Sequence, residues 1–246
     1  MKRQRHPAMI LLGSLGRYRL DVMREVLRNN GDVRIVAGDR SPDGTVKVLN
    51  TADLDVWAIR NIYWRNNLLW RRGLPLRRVL SARVLLLDLN PRVAGNWAIL
   101  LLRRLLRLPT VLWGPPWPRA GSQARSAPVR IFMARLSDGL LGYTDSDAEI
   151  LRLHHPKKHV RSAPNALYRK CELRYDSSSP RDTFVYVGRL VDEKRVELLV
   201  RSAKVLSETR PDLKVVIVGD GPELGHLQML STQFGLTNLR FYSHDD

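Results

Sequence analysis

The sequence predicts an α/β protein built on parallel β-sheets, and three observations carry that prediction. Short apolar runs of strand length alternate with segments whose apolar residues recur at helical spacing, which is typical of parallel strands joined by helices. Glycine-bearing loops follow several of these runs. A polar segment with a proline, residues 176–182, interrupts the pattern and predicts a boundary. We therefore predict two domains, residues 1–175 and residues 176–246.

The first domain contains both kinds of element in alternation. Apolar runs predict strands at residues 8–12, 33–37, 84–87, 110–113 and 139–143. Helical spacing predicts helices at residues 18–29, 96–106, 128–136 and 145–153. The aromatic and basic interval 50–78 fits neither period, so no element is predicted there. The alternation indicates a parallel sheet covered by helices on both faces.

The second domain repeats the pattern more regularly. Strands are predicted at residues 183–187, 213–218 and 239–242, and helices at 196–208 and 223–234. Gly235 ends the second helix, as glycine often does. The order strand, helix, strand, helix, strand is one mononucleotide-binding half of a doubly wound fold.

Composition excludes several classes of protein. The chain has 246 residues, of which 44% are hydrophobic and 26% charged, and this composition excludes wholesale disorder. No run approaches the roughly 18–20 apolar residues that a membrane-spanning helix needs. A single cysteine, Cys171, excludes an internal disulfide and a zinc site made of several cysteines. We therefore expect a reducing compartment, the cytoplasm.

The net charge of +17 is distributed unevenly. Residues 1–175 hold 32 Lys and Arg against 13 Asp and Glu, whereas residues 176–246 hold 9 against 11. A basic half attracts polyanions, either nucleic acid or the anionic face of a membrane. A general preference for arginine, with 33 Arg and 8 Lys, is the alternative explanation. That preference does not explain why the excess ends near residue 175.

Three glycine-bearing loops follow predicted strands, at residues 13–16, 188–194 and 219–221. Ligands of parallel sheets bind beyond the carboxyl ends of the strands, where glycine lets backbone N–H groups approach a phosphate. Arg189 and Lys194 add side-chain donors suited to a diphosphate. Each loop alone also fits an ordinary turn, and neither 13–16 nor 219–221 completes the dinucleotide fingerprint or the Walker pattern.

Two segments of the second domain carry a resemblance to a known family. Residues 184–199 read FVYVGRLVDEKRVELL, and residues 213–223 read LKVVIVGDGPE. Both resemble the donor-site segments of family 4 retaining glycosyltransferases. Residues 163–166, APNA, resemble the junction between the two domains of that family. The N-terminal half is similar, more loosely, to members that build bacterial exopolysaccharide, capsule or lipopolysaccharide.

The resemblance implies a GT-B-like architecture, with a complete N-terminal Rossmann-like domain on the acceptor side. The first half of a C-terminal Rossmann-like domain would follow and bind a nucleotide-sugar. The residues that the family pattern places on the donor diphosphate are Arg189, Lys194, Gly13 and Gly16. The loop residues that it places at the nucleotide are Gly188, Gly219 and Gly221.

The same resemblance implies the reaction and its partners. A hexose would pass from a UDP- or GDP-linked donor to a bacterial surface glycan or lipid-linked acceptor, with retention of configuration. A lipid-linked acceptor would bring the protein to the inner face of the cytoplasmic membrane as a peripheral protein. No cofactor or metal is expected, because two side-chain cations can stabilise the leaving diphosphate. The Asp-x-Asp sequence Asp145-Ser-Asp147 is predicted to cap a helix.

The chain departs from the family pattern in two places. Relatives often carry Trp-Gly-His-Gly where this chain has Trp113-Gly-Pro-Pro, so Pro115 replaces a histidine and no catalytic residue is assigned. The Glu-x7-Glu motif that holds the donor sugar is also absent, since no two glutamates stand eight positions apart. We therefore expect a truncated glycosyltransferase or gene fragment that is inactive alone. Its strand 183–187 would have one unpaired, apolar edge.

Two other classes of function stay open: a basic binding module for nucleic acid or anionic membrane, and a transferase-like scaffold without catalysis. Residues 57–70 mix aromatic and cationic side chains as single-strand nucleic-acid binders do, or form the acceptor face of a transferase. A nucleic-acid partner is nevertheless disfavoured.

Two further patterns have competing explanations. The leucines and arginines of residues 100–108 fit a membrane surface or, as we expect, a helix packed on its own sheet with a basic outer face. The arginines concerned are Arg103, Arg104 and Arg107. His154, His155 and His159 are predicted to lie in a solvated loop rather than at a metal.

Overall fold

A computed structural model of the chain describes residues 7–41, 48–49, 54–64, 68–118, 120–164 and 182–243. The chain divides into two compact units, Met1–Leu173 (unit 1) and Arg174–Asp246 (unit 2). Each unit has its own sheet and its own apolar core. Cys171 and residues 165–166 of the predicted junction lie outside the described residues.

The sheet of unit 1 has eight described strands in the order β4-β3-β2-β1-β5-β6-β7-β8. In chain order, β1 to β8 are Ala8–Leu12, Val33–Gly38, Val56–Trp64, Leu68–Arg72, Leu85–Asp88, Thr110–Trp113, Gly139–Gly142 and His159–Ser162. All neighbouring pairs are parallel except β3 with β4. The five strands predicted from apolar runs are confirmed, and β3, β4 and β8 are additional.

The described helices of unit 1 cover both faces of this sheet. They are α1 (Leu20–Asn29), α2 (Leu76–Ser81), α3 (Ala94–Leu105), α4 (Ala127–Arg135) and α5 (Asp145–His154). From β1, strands β2 and β3 follow toward one side edge of the sheet, whereas strands β5 to β8 follow toward the opposite side edge. Right-handed crossovers therefore place α1 on one face and α3, α4 and α5 together on the other. The cores agree, since Met23 packs with Leu12, whereas Ile99 and Leu151 pack with Leu11.

The unassigned interval 50–78 contains the antiparallel hairpin β3–β4. Its register pairs Arg60 with Arg72, Ile62 with Trp70 and Trp64 with Leu68. Because the pairing of β2 with β3 ends at Ile59, residues 60–64 extend beyond the carboxyl edge of β2. Asn61 and Arg71 are buried, whereas Trp64 and Trp70 are exposed. Buried and exposed side chains therefore alternate as in a strand. The sequence does not show this alternation, because large aromatic residues occupy the solvent face.

The basic outer face predicted for residues 100–108 needs one correction, because Arg103 points inward. Its side chain is 0% exposed. Its guanidinium donates to the Thr110 hydroxyl at 2.9 Å and to the backbone carbonyls of Val79, Leu80, Ala82 and Pro109. Burial lowers the pKa of Arg103, and the negative charge of Asp138 opposes that shift. Arg104 and Arg107 are exposed, as predicted.

The solvated loop predicted for the three histidines is wrong, because His154 and His159 are exposed but belong to a helix and a strand, and His155 is buried. The ring of His155 hydrogen-bonds the backbone of Ile131 in α4. Burial, together with nearby cations, lowers the pKa of His155. His154 ends α5 and His159 begins β8.

The cap predicted at Asp145 and Asp147 is also corrected. Thr144 caps α5, since its hydroxyl accepts a hydrogen bond from the backbone N–H of Asp147 at 3.0 Å. The two aspartates lie in the first turn of the helix, where negative charge is favourable.

Unit 2 has a three-stranded parallel sheet in the order β11-β10-β9. Its described elements are β9 (Thr183–Val187), α6 (Val196–Thr209), β10 (Lys214–Val218), α7 (Leu224–Gln233) and β11 (Leu239–Tyr242). All five were predicted, with ends displaced by one residue at most. Within the described residues β9 pairs with β10 alone, and Phe184, Val185 and Val187 on it are exposed. No helix in the described part of either unit is long and apolar enough to cross a membrane.

Candidate functional site

The carboxyl edge of the unit 2 sheet is formed by two loops that pack against each other. The backbone N–H of Leu190, after β9, donates to the carbonyl of Asp220, after β10, at 2.9 Å. The backbone N–H of Glu223 donates a hydrogen bond to the carbonyl of Leu190 at 3.1 Å. Leu190 itself is fully buried in the unit 2 core and anchors the first loop. The two loops therefore present one continuous surface at the end of the sheet where ligands of parallel sheets bind.

Close backbone contact explains two of the predicted glycines. A Cβ on Gly219 would lie 1.9 Å from the carbonyl oxygen of Gly188, and a Cβ on Gly221 would lie 2.1 Å from that of Leu190. No side chain fits at such distances without moving the neighbouring backbone. The structure thus brings Gly188, Gly219 and Gly221 together. Their role at a nucleotide stays a prediction.

Arg189 and Lys194 stand near the two ends of the first loop, on either side of the Leu190 anchor. Arg189 is half-buried, and its carbonyl accepts a hydrogen bond from the Tyr186 hydroxyl at 3.1 Å. Burial raises the pKa of Tyr186, and the charge of Arg189 opposes that shift. Lys194 is exposed in the turn Asp192–Lys194, which immediately precedes α6. Two cations and a helix N-terminus therefore lie at the same edge, a combination that favours a bound anion.

Arg195 joins that turn to α6 in the left-handed backbone conformation, with φ 49° and ψ 40°. A residue with a Cβ is disfavoured there by about 1–2 kcal/mol, whereas glycine is not. We expect Arg195→Gly to raise the free energy of unfolding of unit 2 by about 1 kcal/mol, measured by urea denaturation. Arg201→Gly, inside α6, should lower the same quantity by about 1 kcal/mol. A loss of stability in Arg195→Gly would contradict the assigned conformation.

The loop after β1 lies at the carboxyl edge of the unit 1 sheet. The carbonyl of Gly13 accepts a hydrogen bond from the Asn61 side chain at 2.6 Å, and Leu15 anchors the loop in the core. A Cβ on Gly13 would approach the Asp88 carboxylate at 3.4 Å. Gly16 has φ −65°, so its conformation does not require glycine. The structure therefore places Gly13 among polar side chains and gives Gly16 no special role, and the donor contact predicted for both stays a prediction.

A polar cluster lies beside Gly13, and its members were not predicted as site residues. The Arg71 guanidinium contacts the Asp88 carboxylate and the Asn96 side chain, each at 2.8 Å. Among the described residues, the buried Nε of Arg71 and Oδ1 of Asn61 have no partner. Asp88 had a usable signal, since it ends a strand at the ligand edge. Arg71 had none, because its hairpin was not predicted.

Two further guanidinium groups lie at this edge. Arg19 lies over the Trp113 ring, 4.6 Å from the ring centroid, and donates to the Tyr143 hydroxyl at 3.2 Å. Arg130 donates to the carbonyl of Pro115 at 3.4 Å, and burial lowers its pKa. Pro115, which stands where the resemblance predicts a histidine, therefore lies next to a half-buried cation. Within the described ranges no three His, Cys, Asp or Glu side chains gather as a metal site.

These features define the class of protein: an α/β protein with the fold of the GT-B glycosyltransferases. Among similar solved structures is the pneumococcal O-GlcNAc transferase GtfA in complex with UDP and GlcNAc, with TM-score 0.66 and 9% identity, covering 98% of this chain and 76% of that one. Anabaena HepE in complex with UDP has TM-score 0.58 and 13% identity, covering 96% and 69%. The UDP-GlcNAc 2-epimerase of Methanocaldococcus jannaschii has TM-score 0.54 and 11% identity, covering 96% and 73%. Likenesses at this level of identity establish the fold alone.

Sequence comparison is more specific for unit 2. The family described as Glycosyl transferases group 1 matches residues 174–246. An uncharacterised glycosyltransferase of Methanocaldococcus jannaschii is 28% identical over 120 residues, which cover 44% of this chain. The matched part is 29% of that relative, so the chain spans less than a third of its length. The predicted resemblance is confirmed at the level of a group 1 glycosyltransferase domain.

Proposed function

We propose that this protein is a glycosyltransferase that moves a hexose from a UDP- or GDP-linked donor to a bacterial surface glycan or lipid-linked acceptor, with retention. The observation that carries the proposal is the coincidence of two features in unit 2. The group 1 family match covers the unit whose loops place Arg189, Lys194 and the N-terminus of α6 at one edge. The same match favours transfer over the epimerisation that the fold also supports.

In the proposed reaction, the bond between the anomeric carbon and the β-phosphate oxygen breaks as the acceptor hydroxyl oxygen bonds to that carbon. The hydroxyl proton and the nucleoside diphosphate are the other products. Negative charge builds on the diphosphate as it leaves. Arg189 and Lys194 would stabilise that charge directly, which is why the proposal needs no metal.

The acceptor side of the proposal rests on the carboxyl edge of unit 1. The β3–β4 hairpin extends past that edge, and Trp64 (73% exposed) and Trp70 share its outer face. Aromatic faces suit the apolar faces of sugar rings, and the Asp88 carboxylate lies beside Gly13. We assign the acceptor to this edge and the donor to unit 2, with the protein at the inner face of the cytoplasmic membrane when the acceptor is lipid-linked.

Calorimetric titration with UDP and GDP tests the donor site. We expect binding of one of them, and we expect Arg189→Ala to weaken it about ten- to a hundredfold, because a charged hydrogen bond to phosphate is worth about 1.5–3 kcal/mol. Lys194→Ala should cause a smaller loss, since Lys194 is exposed. Arg210→Ala is the matched control, because Arg210 lies before β10 at the opposite edge and pairs with Asp212. The affinity of Arg210→Ala for the nucleotide should equal that of the wild type.

Two outcomes would contradict the proposal. If the folded protein binds neither UDP nor GDP, it has no donor site. Binding of DNA or RNA with a steep salt dependence that Arg189→Ala leaves unchanged would favour the basic binding module instead. Product analysis separates the remaining classes: a glycosidic product identifies a transferase, a free epimerised sugar identifies an epimerase, and nucleotide binding without turnover identifies a scaffold.

A further inference from the structure

Unit 1 contains an open cleft that the proposed reaction does not use. This cleft, the α4–α5 cleft, lies between α4, the loop before α4 and the turn that follows α5, and its volume is about 750 Å³. That volume is in the range of small-molecule sites. None of the described residues that line it belongs to the glycine loops or to the cluster around Arg71 and Asp88. The α4–α5 cleft is therefore a feature separate from the proposed donor and acceptor sites.

Two contacts between side chains and neighbouring elements hold the walls of the cleft together. The ring of Trp117, in the loop before α4, meets the ring of His154 on α5 edge to face, with centroids 5.2 Å apart. The ring of His155, which follows α5, hydrogen-bonds the backbone of Ile131 in α4. All four residues line the cleft. The loop, α4 and the end of α5 therefore form one continuous concave surface.

The apolar part of the lining is aromatic. Trp117 and Phe132 both contribute rings to the cleft, and Pro128, Ile131 and Pro156 lie beside them in the lining. Phe132 is 56% exposed, which is a large fraction for a phenylalanine in a helix that packs on a sheet. Apolar walls with exposed rings suit a ligand with a planar apolar body.

Every described ionisable side chain that lines the cleft is basic. These are Arg135, His154, His155, Lys157 and Lys158. Arg135 and Lys157 are exposed, and within the described ranges neither forms an ion pair. Lys158 is committed to the fold, since its Nζ donates to the carbonyl of Ser137. Burial lowers the pKa of Lys158, and Asp138, which does not line the cleft, opposes that shift. Arg135 and Lys157 are therefore two cations that face one cleft without a carboxylate between them.

His155 adds a buried polar atom to the lining. The residue is 7% exposed, and its Nε2 has no hydrogen-bond partner among the described residues. Buried polar atoms without a partner are uncommon in native proteins, so each one needs an explanation. Burial lowers the pKa of His155, and the charges of Lys158, His154 and Arg135 lower it further. An anion in the cleft would favour the protonated ring, whose Nε2 can then donate a hydrogen bond.

We propose that the α4–α5 cleft binds a small phosphate monoester with an aromatic body, which is the chemistry of a mononucleotide. The aromatic body packs on Trp117 and Phe132, and the phosphate contacts Arg135 and Lys157. A phosphate monoester carries close to two negative charges at neutral pH, so it matches two cations better than a carboxylate does. A strand of nucleic acid is a poorer occupant, because its affinity needs cations along many phosphates. The proposal does not depend on sugar transfer, since the donor loops lie in unit 2.

Calorimetric titration of the full chain with adenosine 5′-monophosphate (AMP) tests the proposal. AMP should bind about tenfold more tightly than adenosine or inorganic phosphate, because each of these supplies only part of the contacts. Arg135→Gln should weaken AMP binding about tenfold, and Lys157→Gln about threefold, since a charged hydrogen bond to phosphate is lost in each. The matched control is Arg152→Gln, which removes an exposed arginine of α5 outside the lining and should leave the affinity for AMP unchanged.

Two further measurements locate the ligand within the cleft. Phe132→Ala should weaken the binding of AMP and of adenosine but not that of inorganic phosphate, because only the aromatic contact is removed. The ring signals of His155 in NMR spectra, assigned by their loss in His155→Gln, report the second contact. Bound AMP should raise the pKa of His155, because the phosphate opposes the cations Arg135, His154, Lys157 and Lys158 that face the ring and the cleft.

Three results would overturn the proposal. These are no AMP binding by the folded protein, equal AMP affinities in Arg135→Gln and Arg152→Gln, and loss of AMP binding in Arg189→Ala, which would assign AMP to the donor loops. Single-stranded DNA that displaces AMP and depends steeply on salt and on Arg135 would assign the cleft to nucleic acid instead. Titration of Arg135→Gln with UDP and GDP keeps the two proposals separate, since this variant should retain the affinity of the wild type for the donor nucleotide.

Discussion

Replacing Arg103 by methionine should lower the free energy of unfolding of unit 1 by about 4 kcal/mol. The guanidinium is fully buried and donates to the carbonyls of Val79, Ala82 and Pro109 at 2.7–3.1 Å. Methionine restores much of the volume but none of the donors, so these carbonyls stay in the interior without partners. Each orphaned buried polar group costs about 1–3 kcal/mol. The loss is therefore a large part of what a domain of this size has available.

Tryptophan fluorescence during urea denaturation measures this effect in unit 1 alone. All six tryptophans of the chain lie between residues 57 and 117, within unit 1. Arg104→Met is the matched control, because Arg104 occupies the next position of α3 and is exposed. Its change should stay within about 0.5 kcal/mol. Arg103→Lys should also destabilise, because one ammonium nitrogen cannot reach acceptors spread across a planar fork. Equal stabilities of Arg103→Met and Arg104→Met would contradict the structure.

Adding one methyl group at Gly219 should disrupt the paired loops of unit 2. The new Cβ would meet the carbonyl oxygen of Gly188 at 1.9 Å, so the two loops must separate. We expect Gly219→Ala to lower the free energy of unfolding of unit 2 by about 3 kcal/mol, toward the upper end for overpacking. Because Arg189 follows Gly188 directly, the same movement should weaken UDP or GDP binding at least tenfold.

Gly225→Ala provides the control within the same unit. A Cβ there meets nothing within 4 Å, and Gly225 lies inside α7. Gly225→Ala should therefore raise the free energy of unfolding of unit 2 by about 0.5–1 kcal/mol and leave nucleotide affinity unchanged. Far-UV circular dichroism follows the unfolding of both variants, and calorimetry measures the nucleotide affinity. Wild-type stability in Gly219→Ala would show that the loops are not packed as described.

The sequence predicted the strands at the centre of each sheet because those strands are buried on both faces. The run Ala8–Leu12 is apolar throughout, and Thr110–Trp113 is apolar after its first residue, which is typical of a short buried strand. The β3–β4 hairpin was not predicted, because Trp64 and Trp70 occupy its solvent face and polar and apolar residues therefore do not alternate. Strand β8 is only four residues long and begins with a histidine after two lysines, which resembles a loop.

Parts of the candidate site were predictable for a similar reason. Arg189 and the glycines beside it follow directly after strands, and the ends of parallel strands are where ligands bind. Arg71 and Asp88 are 17 positions apart, and only the completed sheet brings them together. Arg103 is harder still, because an arginine between leucines on an amphipathic helix ordinarily faces water. Its partners come from two other segments, residues 79–82 and 109–110, and no local sequence pattern indicates them.

The inward orientation of Arg71 and Arg103 affects how strongly unit 1 can bind polyanions. Affinity for a polyanion grows with the number of phosphates that are neutralised, since each contact releases a condensed counterion. A guanidinium that is committed to backbone carbonyls or to Asp88 inside the fold releases none. Composition therefore overstates the number of cations that a nucleic acid or a lipid headgroup can touch.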